Sequence, residues 1–162
     1  MDEVDLIVSA WERERPDLDV TPMEVLSRVS RLARQLDLAR KETFAAHGLE
    51  VWAFDVLSAL RRAGAPYQLS PSTLVNEMMV TSGTMTNRID RLVSRGLVSR
   101  HPDPHDRRGV HVRLTTSGRT KVDTALAELL EHEHALLSNL SAAQKRKLAE
   151  LLRSLSTGFS PT

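Results

Sequence analysis

The chain has no cysteine in its 162 residues. That excludes disulfide staples, thiolate zinc sites and sensing by thiol oxidation, and it agrees with a cytoplasmic protein. Five methionines leave sulfoxide chemistry open. No apolar run approaches the length that spans a bilayer, so no membrane partner is expected. The acidic N-terminus lacks the basic start and apolar stretch of a signal peptide. Internal repeats and low-complexity segments are also missing. Catalytic signatures are absent too. TSGTMT at Thr81–Thr86 lacks the spacing and lysine of a phosphate-cradling loop, and there is no Gly-x-Ser-x-Gly elbow, cysteine nucleophile or His-Glu-x-x-His pair. An enzyme is not expected, and neither is a cofactor. His101, His105 and His111 cluster near the wing, and His132 and His134 lie further on, but no i, i+4 histidine pair with a nearby carboxylate falls on a predicted helix, so no metal site is expected.

What is present is charge, unevenly spread. The whole chain carries +1, yet Ser82–Lys121 holds nine basic residues against three acidic ones, a net +6. Clustered positive charge of this kind is what a phosphate-facing surface requires, even at a mild overall pI. The balancing acids lie at the start: Asp2, Glu3, Asp5, Glu12, Glu14, Asp17, Asp19 and Glu24, against Arg13 and Arg15. Nucleic acid would repel such an end, which is expected to pack on another protein surface or to line a site of its own.

With 41% hydrophobic and 27% charged residues the chain is globular, and its length suits one core or two closely packed halves. Val4, Ile7, Val8 and Trp11 recur at helical spacing until Pro16. Thr21 is expected to cap a long helix with Pro22 at its first position, running to about His47, with Met23, Leu26, Val29, Leu32, Ala33, Leu36 and Ala39 on one face. A helix follows from about Glu50 to Ala63, with Val51, Phe54, Leu57 and Leu60 inward. Tyr67–Leu69 is a candidate edge strand. Ser70 or Ser72 opens a helix through about Met79, and Thr81 or Ser82 opens another through Arg95, closed by Gly96: two short helices about a tight turn. Leu97–His101 and Gly109–Leu114 alternate as an antiparallel ribbon would. Thr115 caps a helix to about Leu137, and Ser141 caps a last one to about Leu155.

The predicted architecture is mainly α with a small β-wing: a winged helix-turn-helix at residues 48–115, flanked by N-terminal helices at 1–47 and C-terminal helices at 116–162. The apolar terminal helices would leave too large a patch on a monomer, so they are expected to form a homodimer, with the N-terminal helices also lining a ligand pocket.

The start of the predicted reading helix is small and polar: Ser82, Gly83, Thr84, Thr86 and Asn87. Small residues let a helix end approach the major groove, where Asn pairs with adenine and Thr meets phosphate or a thymine methyl. Capping alone is the alternative for Ser82 and Thr84. Met85, Ile89, Leu92 and Val93 form the buried face. Arg88, Arg91 and Arg95 fall on another side, for phosphate contact or for solvent. Ser70 and Ser72, at the start of the preceding helix, join the candidate DNA contacts. In the wing loop Asp106 would orient Arg108 toward the minor groove while Arg107 meets phosphate.

SGTMTNRIDRLVSRGLVSR followed by DPHDRRGVHVRLTTSG resembles the MarR family of bacterial transcriptional regulators, whose hallmarks include Asp-Arg-Arg at the wing and Leu-Thr-x-x-Gly at the next helix. The likeness runs over essentially the whole chain. It implies a dimeric regulator, usually a repressor, that binds double-stranded DNA. The N-terminal helix with Trp11, the PDLD at Pro16–Asp19, and then Asp55, Arg88 and Arg100 further resemble the urate-responsive branch called UrtR. This implies a small anionic ligand of the urate, xanthine or citrate/aconitate class. Within that resemblance an Asp55–Arg88 pair would link scaffold to reading helix. An anion entering beside Trp11 would compete with Asp55 for Arg88 or Arg100, with His47 lining the cavity, and would weaken DNA binding. The alternatives are a winged helix used for protein contacts, or a regulator answering to an apolar phenolic ligand.

Overall fold

The computed structural model describes residues 1–103 and 109–158. It contains seven helices and three strands among those residues: α1 Glu3–Glu14, α2 Pro22–Ala46, α3 Val51–Arg62, β1 Gln68–Leu69, α4 Pro71–Met78, α5 Ser82–Ser94, β2 Val98–Pro102, β3 Val110–Leu114, α6 Thr116–Leu136 and α7 Ala142–Thr157. The chain divides into two units, Met1–Val56 and Leu57–Thr162, with the boundary inside α3. None of the described helices is long and apolar enough to cross a membrane.

In the first unit, Asp2 starts α1 with a capping box. Its carboxylate accepts from the backbone N–H groups of Val4 and Asp5, and its own N–H donates to the Asp5 side chain at 2.7 Å. The acidic start is neutralised within its own unit. Arg28 of α2 donates to both Asp2 and Asp5, and Arg31 donates to Glu3. The Arg28 hydrogen bond, aided by the Asp5 backbone N–H, holds the Asp2 carboxyl at about 2, below its ordinary 3.8. The expected packing of this end on another protein is therefore unnecessary for Asp2, Glu3 and Asp5.

The expected Thr21 cap is not made. Thr21 is itself helical, at φ −54° and ψ −33°, and its hydroxyl donates to Asp19 at 2.7 Å. Asp19 also accepts the Thr21 N–H at 3.0 Å, so an Asp-based turn uses the hydroxyl that would have capped the helix. Pro22 still opens α2, where its missing N–H costs nothing. The core of this unit lies at the end of α2 and the start of α3, where Phe44 stacks on Phe54 with centroids 3.9 Å apart. Val51, expected inward, is half-buried. Most of the predicted apolar face of α2 is not covered: Leu26, Leu32 and Leu36 are exposed.

In the second unit, Leu57, Leu60, Leu74, Met85, Ile89, Leu92, Val112 and Val122 are buried, carrying the apolar positions of α3 to α6 into one core. Arg61 of α3 donates to Asp123 of α6 at 2.8 Å. The sheet order is β1-β3-β2, all antiparallel, so the short edge strand joins the ribbon as a third member. Thr115 caps α6 by accepting the Gly118 N–H at 2.9 Å and donates its hydroxyl to the Gly96 carbonyl at 2.7 Å. A Cβ on Gly118 would stand 2.0 Å from the Leu97 carbonyl oxygen. Glycine is what lets α6 start against the end of the reading helix. Helix α7 begins with a Ser141–Gln144 capping box but has no buried residue; Leu148, Leu151 and Leu152 are exposed, as are Leu126, Leu130, Leu136 and Leu137 in α6 or just after it.

Candidate nucleic-acid interface

Helix α4 is capped by Ser70, whose hydroxyl accepts the Thr73 N–H at 3.1 Å and meets the hydroxyls of Ser72 and Thr73 at 2.8 Å each. Ser72, in the first turn, is exposed. Met79 ends α4 in the left-handed region, φ 50° and ψ 46°, donating its N–H to Val75. That residue makes the turn of the helix-turn-helix. Glycine is the usual occupant of such a position, so spacing alone did not identify it.

Thr81 caps α5, accepting the Thr84 N–H at 3.2 Å and donating to the Thr84 hydroxyl at 2.9 Å. Ser82 is therefore the first helical residue and not the cap. Thr86 donates back to the Ser82 carbonyl at 2.9 Å. Met85, Ile89 and Leu92 are buried, and Val93 is half-buried. Thr84, Arg88, Arg91 and Arg95 recur at steps of four, three and four, which sets them on one face with Asn87 beside them. Of these only Arg88 is half-buried; Ser82, Thr84, Thr86, Asn87, Arg91 and Arg95 are all exposed. The outcome is a helix whose apolar side is used up by the core and whose hydroxyl, amide and guanidinium groups face water.

The wing strands β2 and β3 pair from Val98–Leu114 to Pro102–Val110, and the hairpin is closed at its base by the Asp103 N–H donating to Gly109 at 2.9 Å. A polar chain crosses the sheet at that base. Arg113 donates to the Gln68 side-chain oxygen at 3.0 and 2.7 Å, which turns the Gln68 amide nitrogen toward His111 Nδ1, 3.2 Å away. An amide N–H can only donate, so Nδ1 accepts, and the ring proton is on Nε2, which lies 3.2 Å from Asp103. His111 is thus held as one tautomer between the edge strand and the wing. Ser99 and His101 pair at 2.8 Å on β2. Asp106, Arg107, Arg108 and His105 lie outside the described residues.

Arg100 of β2 donates to Asp90 of α5 at 2.5 Å, an ion pair that the sequence reading did not include. The other ligand candidates divide between the units. Trp11, about half exposed at 47%, and Asp55 belong to the first; Arg88 and Arg100 belong to the second. Within the first unit Asp55 faces the Arg40 guanidinium at 3.6 Å. His47 follows α2 directly, its N–H donating to the carbonyls of Phe44 and Ala45.

A family model described as the MarR family matches residues 47–109, from the end of α2 to the wing. The transcriptional regulator PecS of Dickeya dadantii is 42% identical over 150 residues, covering 93% of this chain and 90% of that protein. The chain belongs to the MarR family. The transcriptional repressor NicR of Pseudomonas putida is 30% identical over 142 residues, covering 85% and 88% of the two chains. Among solved structures, a mutant of Escherichia coli MarR complexed with operator DNA aligns at a TM-score of 0.63 with 28% identity, over 85% of this chain and 99% of that one. The winged helix-turn-helix of a DNA-binding transcriptional regulator is therefore the fold and the function class of this chain. As a MarR-family member it is a DNA-binding transcriptional regulator.

Proposed function

We propose that the chain is a homodimeric repressor whose hold on a pseudo-palindromic operator is released by a small anionic metabolite. The observation that carries the reading is the division of α5: Met85, Ile89 and Leu92 are buried, while Ser82, Thr84, Thr86, Asn87, Arg91 and Arg95 are exposed together. These residues address base edges and phosphates, with Ser70 and Ser72 meeting backbone at the start of α4. Arg107 and Arg108, with Asp106, complete the proposed set of DNA contacts. The repressor role is supported by the likeness to NicR.

Dimerisation is supported by α7, none of whose residues is fully buried within the chain, and by the exposed leucines of α2, α6 and α7. A lone helix of 16 residues is marginal in water, and a second copy would give that leucine face its cover. Two copies would set their reading helices about one helical turn apart on DNA. For the effector, the quartet Trp11, Asp55, Arg88 and Arg100, with His47, is the anion-responsive set, and urate, xanthine, citrate and aconitate are the candidates. The likeness to the UrtR branch supports it.

A gel shift on the chain's own upstream duplex tests the reading. Binding should fall steeply with salt, as phosphate neutralisation demands, and at least one of the four anions should release the complex. No binding at low salt would end the regulator reading for this duplex; binding that none of the anions disturbs would end the effector part.

A further inference from the structure

The first turn of α6 is fastened to the last turn of α5. The Gly96 N–H donates to the Val93 carbonyl at 2.9 Å and the Leu97 N–H to that of Leu92 at 3.0 Å, so residues 96 and 97 continue the end of α5. Their own carbonyls are taken up by one residue of the next element. The Gly96 carbonyl accepts the Thr115 hydroxyl at 2.7 Å, and the Leu97 carbonyl accepts the Thr115 N–H at 3.1 Å. To cap α6, Thr115 needs only to accept the Gly118 N–H; the hydroxyl proton is spare. The Ser70 and Thr81 caps use their hydroxyls on side chains of their own first turns. Thr115 instead spends its proton nineteen residues away in sequence. One oxygen atom thus accepts from α6 and donates to the end of α5, and that fixes the angle between the two helices. Further along, α6 is held again where its Asp123 accepts from Arg61 of α3.

We infer that Thr115 is a positioning residue for sequence recognition: through Gly96 it sets the pitch at which α5 presents Thr86, Asn87 and Arg91 to the groove. Hydrogen bonds to base edges weaken steeply when they are misaligned, whereas attraction to phosphate tolerates a tilted helix. Releasing the joint therefore removes discrimination between sequences and leaves charge-driven binding in place. The inference rests on α5 as the reading helix and adds to it a residue that acts from the helix's far end.

The test uses a duplex that the full wild-type chain enriches from a random pool, with a scrambled duplex as the reference. The readout is the ratio of the two affinities, measured beside the urea midpoint. Thr115→Ser keeps both bonds and should hold the ratio within about twofold of the wild type. Thr115→Asp still accepts the Gly118 N–H but, ionised, has no proton for the Gly96 carbonyl. It should leave the urea midpoint near that of the wild type and lower the ratio about fivefold or more. Thr115→Val loses the cap as well and should lower both. An added charge or a partly unfolded sample weakens the two duplexes alike, so an unchanged ratio in Thr115→Asp overturns the inference, as does an equal loss in Thr115→Ser. Asn87→Ala tests the reading beneath it. If Asn87→Ala lowers the ratio and Thr115→Asp does not, α5 stands as the reader and the role of Thr115 falls. If only Thr115→Asp lowers it, the joint stands and Asn87 leaves the reading set. If neither does, or if no duplex is enriched, both fall.

Discussion

Arg100 on β2 donates to Asp90 on α5, joining the wing strand to the reading helix across ten positions of sequence. Both side chains are substantially exposed, so the pair contributes little to global stability, on the order of 0–1 kcal/mol. Its weight is geometric, because it couples the two parts of the DNA reader. It also gives the proposed effector a competitor: an anion reaching Arg100 must displace Asp90. Asp90→Asn should therefore keep the melting temperature within a few degrees, weaken operator binding about two- to fivefold, and lower the anion concentration needed for half release. Anisotropy titrations with and without urate measure both. An unchanged release midpoint would remove Arg100 from the effector site.

The fixed tautomer of His111 carries a second expectation. Arg113 orients Gln68, Gln68 makes Nδ1 an acceptor, and Nε2–H is left for Asp103. Gln68→Leu removes the element that holds the ring. It should loosen the wing base and lower operator affinity about three- to tenfold, with little change in the urea midpoint because the chain lies at a sheet edge. Long-range 15N–1H spectra read the ring directly. A proton on Nδ1 in the wild type would contradict the assignment outright.

How much of this was legible beforehand depended on whether one stretch of chain carried the whole signal. The helices were legible because apolar spacing and capping residues lie within a dozen positions of one another, as at Ser70, Thr81, Thr115 and Ser141. Thr21 failed as a cap because Asp19, two residues earlier, competes for the same hydroxyl. The periodicity of α2 was real, but spacing marks an apolar face and not what covers it. Leu26, Leu32 and Leu36 are accordingly exposed in the single chain. Arg100–Asp90, Gln68–His111 and Arg40–Asp55 were not legible, since each depends on how separate elements meet. The glycine of Leu-Thr-x-x-Gly was visible as a motif, while its reason, the carbonyl of Leu97, was not.

Acid should undock the first helix before it unfolds the rest. The Arg28 hydrogen bond, with the Asp5 backbone N–H next, holds Asp2 at about 2 against 3.8, and the Asp5 carboxyl is lowered as well. A carboxylate depressed in the folded state contributes stability that is fully present above its unfolded value and lost as pH falls through its folded one. The contribution of Asp2 is thus complete at neutral pH and disappears between about pH 4 and pH 2. Trp11 reports on α1 once Trp52 is replaced by Phe. Its fluorescence should change in that window in the wild type, and Arg28→Gln should move the transition toward pH 4 or higher. A transition indifferent to Arg28 would show that these ion pairs do not dock the helix.

Met79 offers a gain instead of a loss. It makes the turn between α4 and α5 at φ 50°, and its side chain is 91% exposed, so it contributes almost no packing to offset the left-handed backbone. A non-glycine residue in that region costs about 1–2 kcal/mol. Glycine relieves this strain but adds freedom to the unfolded chain, which takes back part of the benefit. Met79→Gly should therefore stabilise the protein by a net of about 0.5–1 kcal/mol, seen as a higher urea midpoint at unchanged slope. Met79→Val should do the opposite, because a β-branched side chain tolerates positive φ worst. Operator affinity is the control that separates backbone from surface. If Met79 acts only through the turn, Met79→Gly leaves DNA binding within about twofold; a larger fall would mean that the exposed thioether itself meets the duplex.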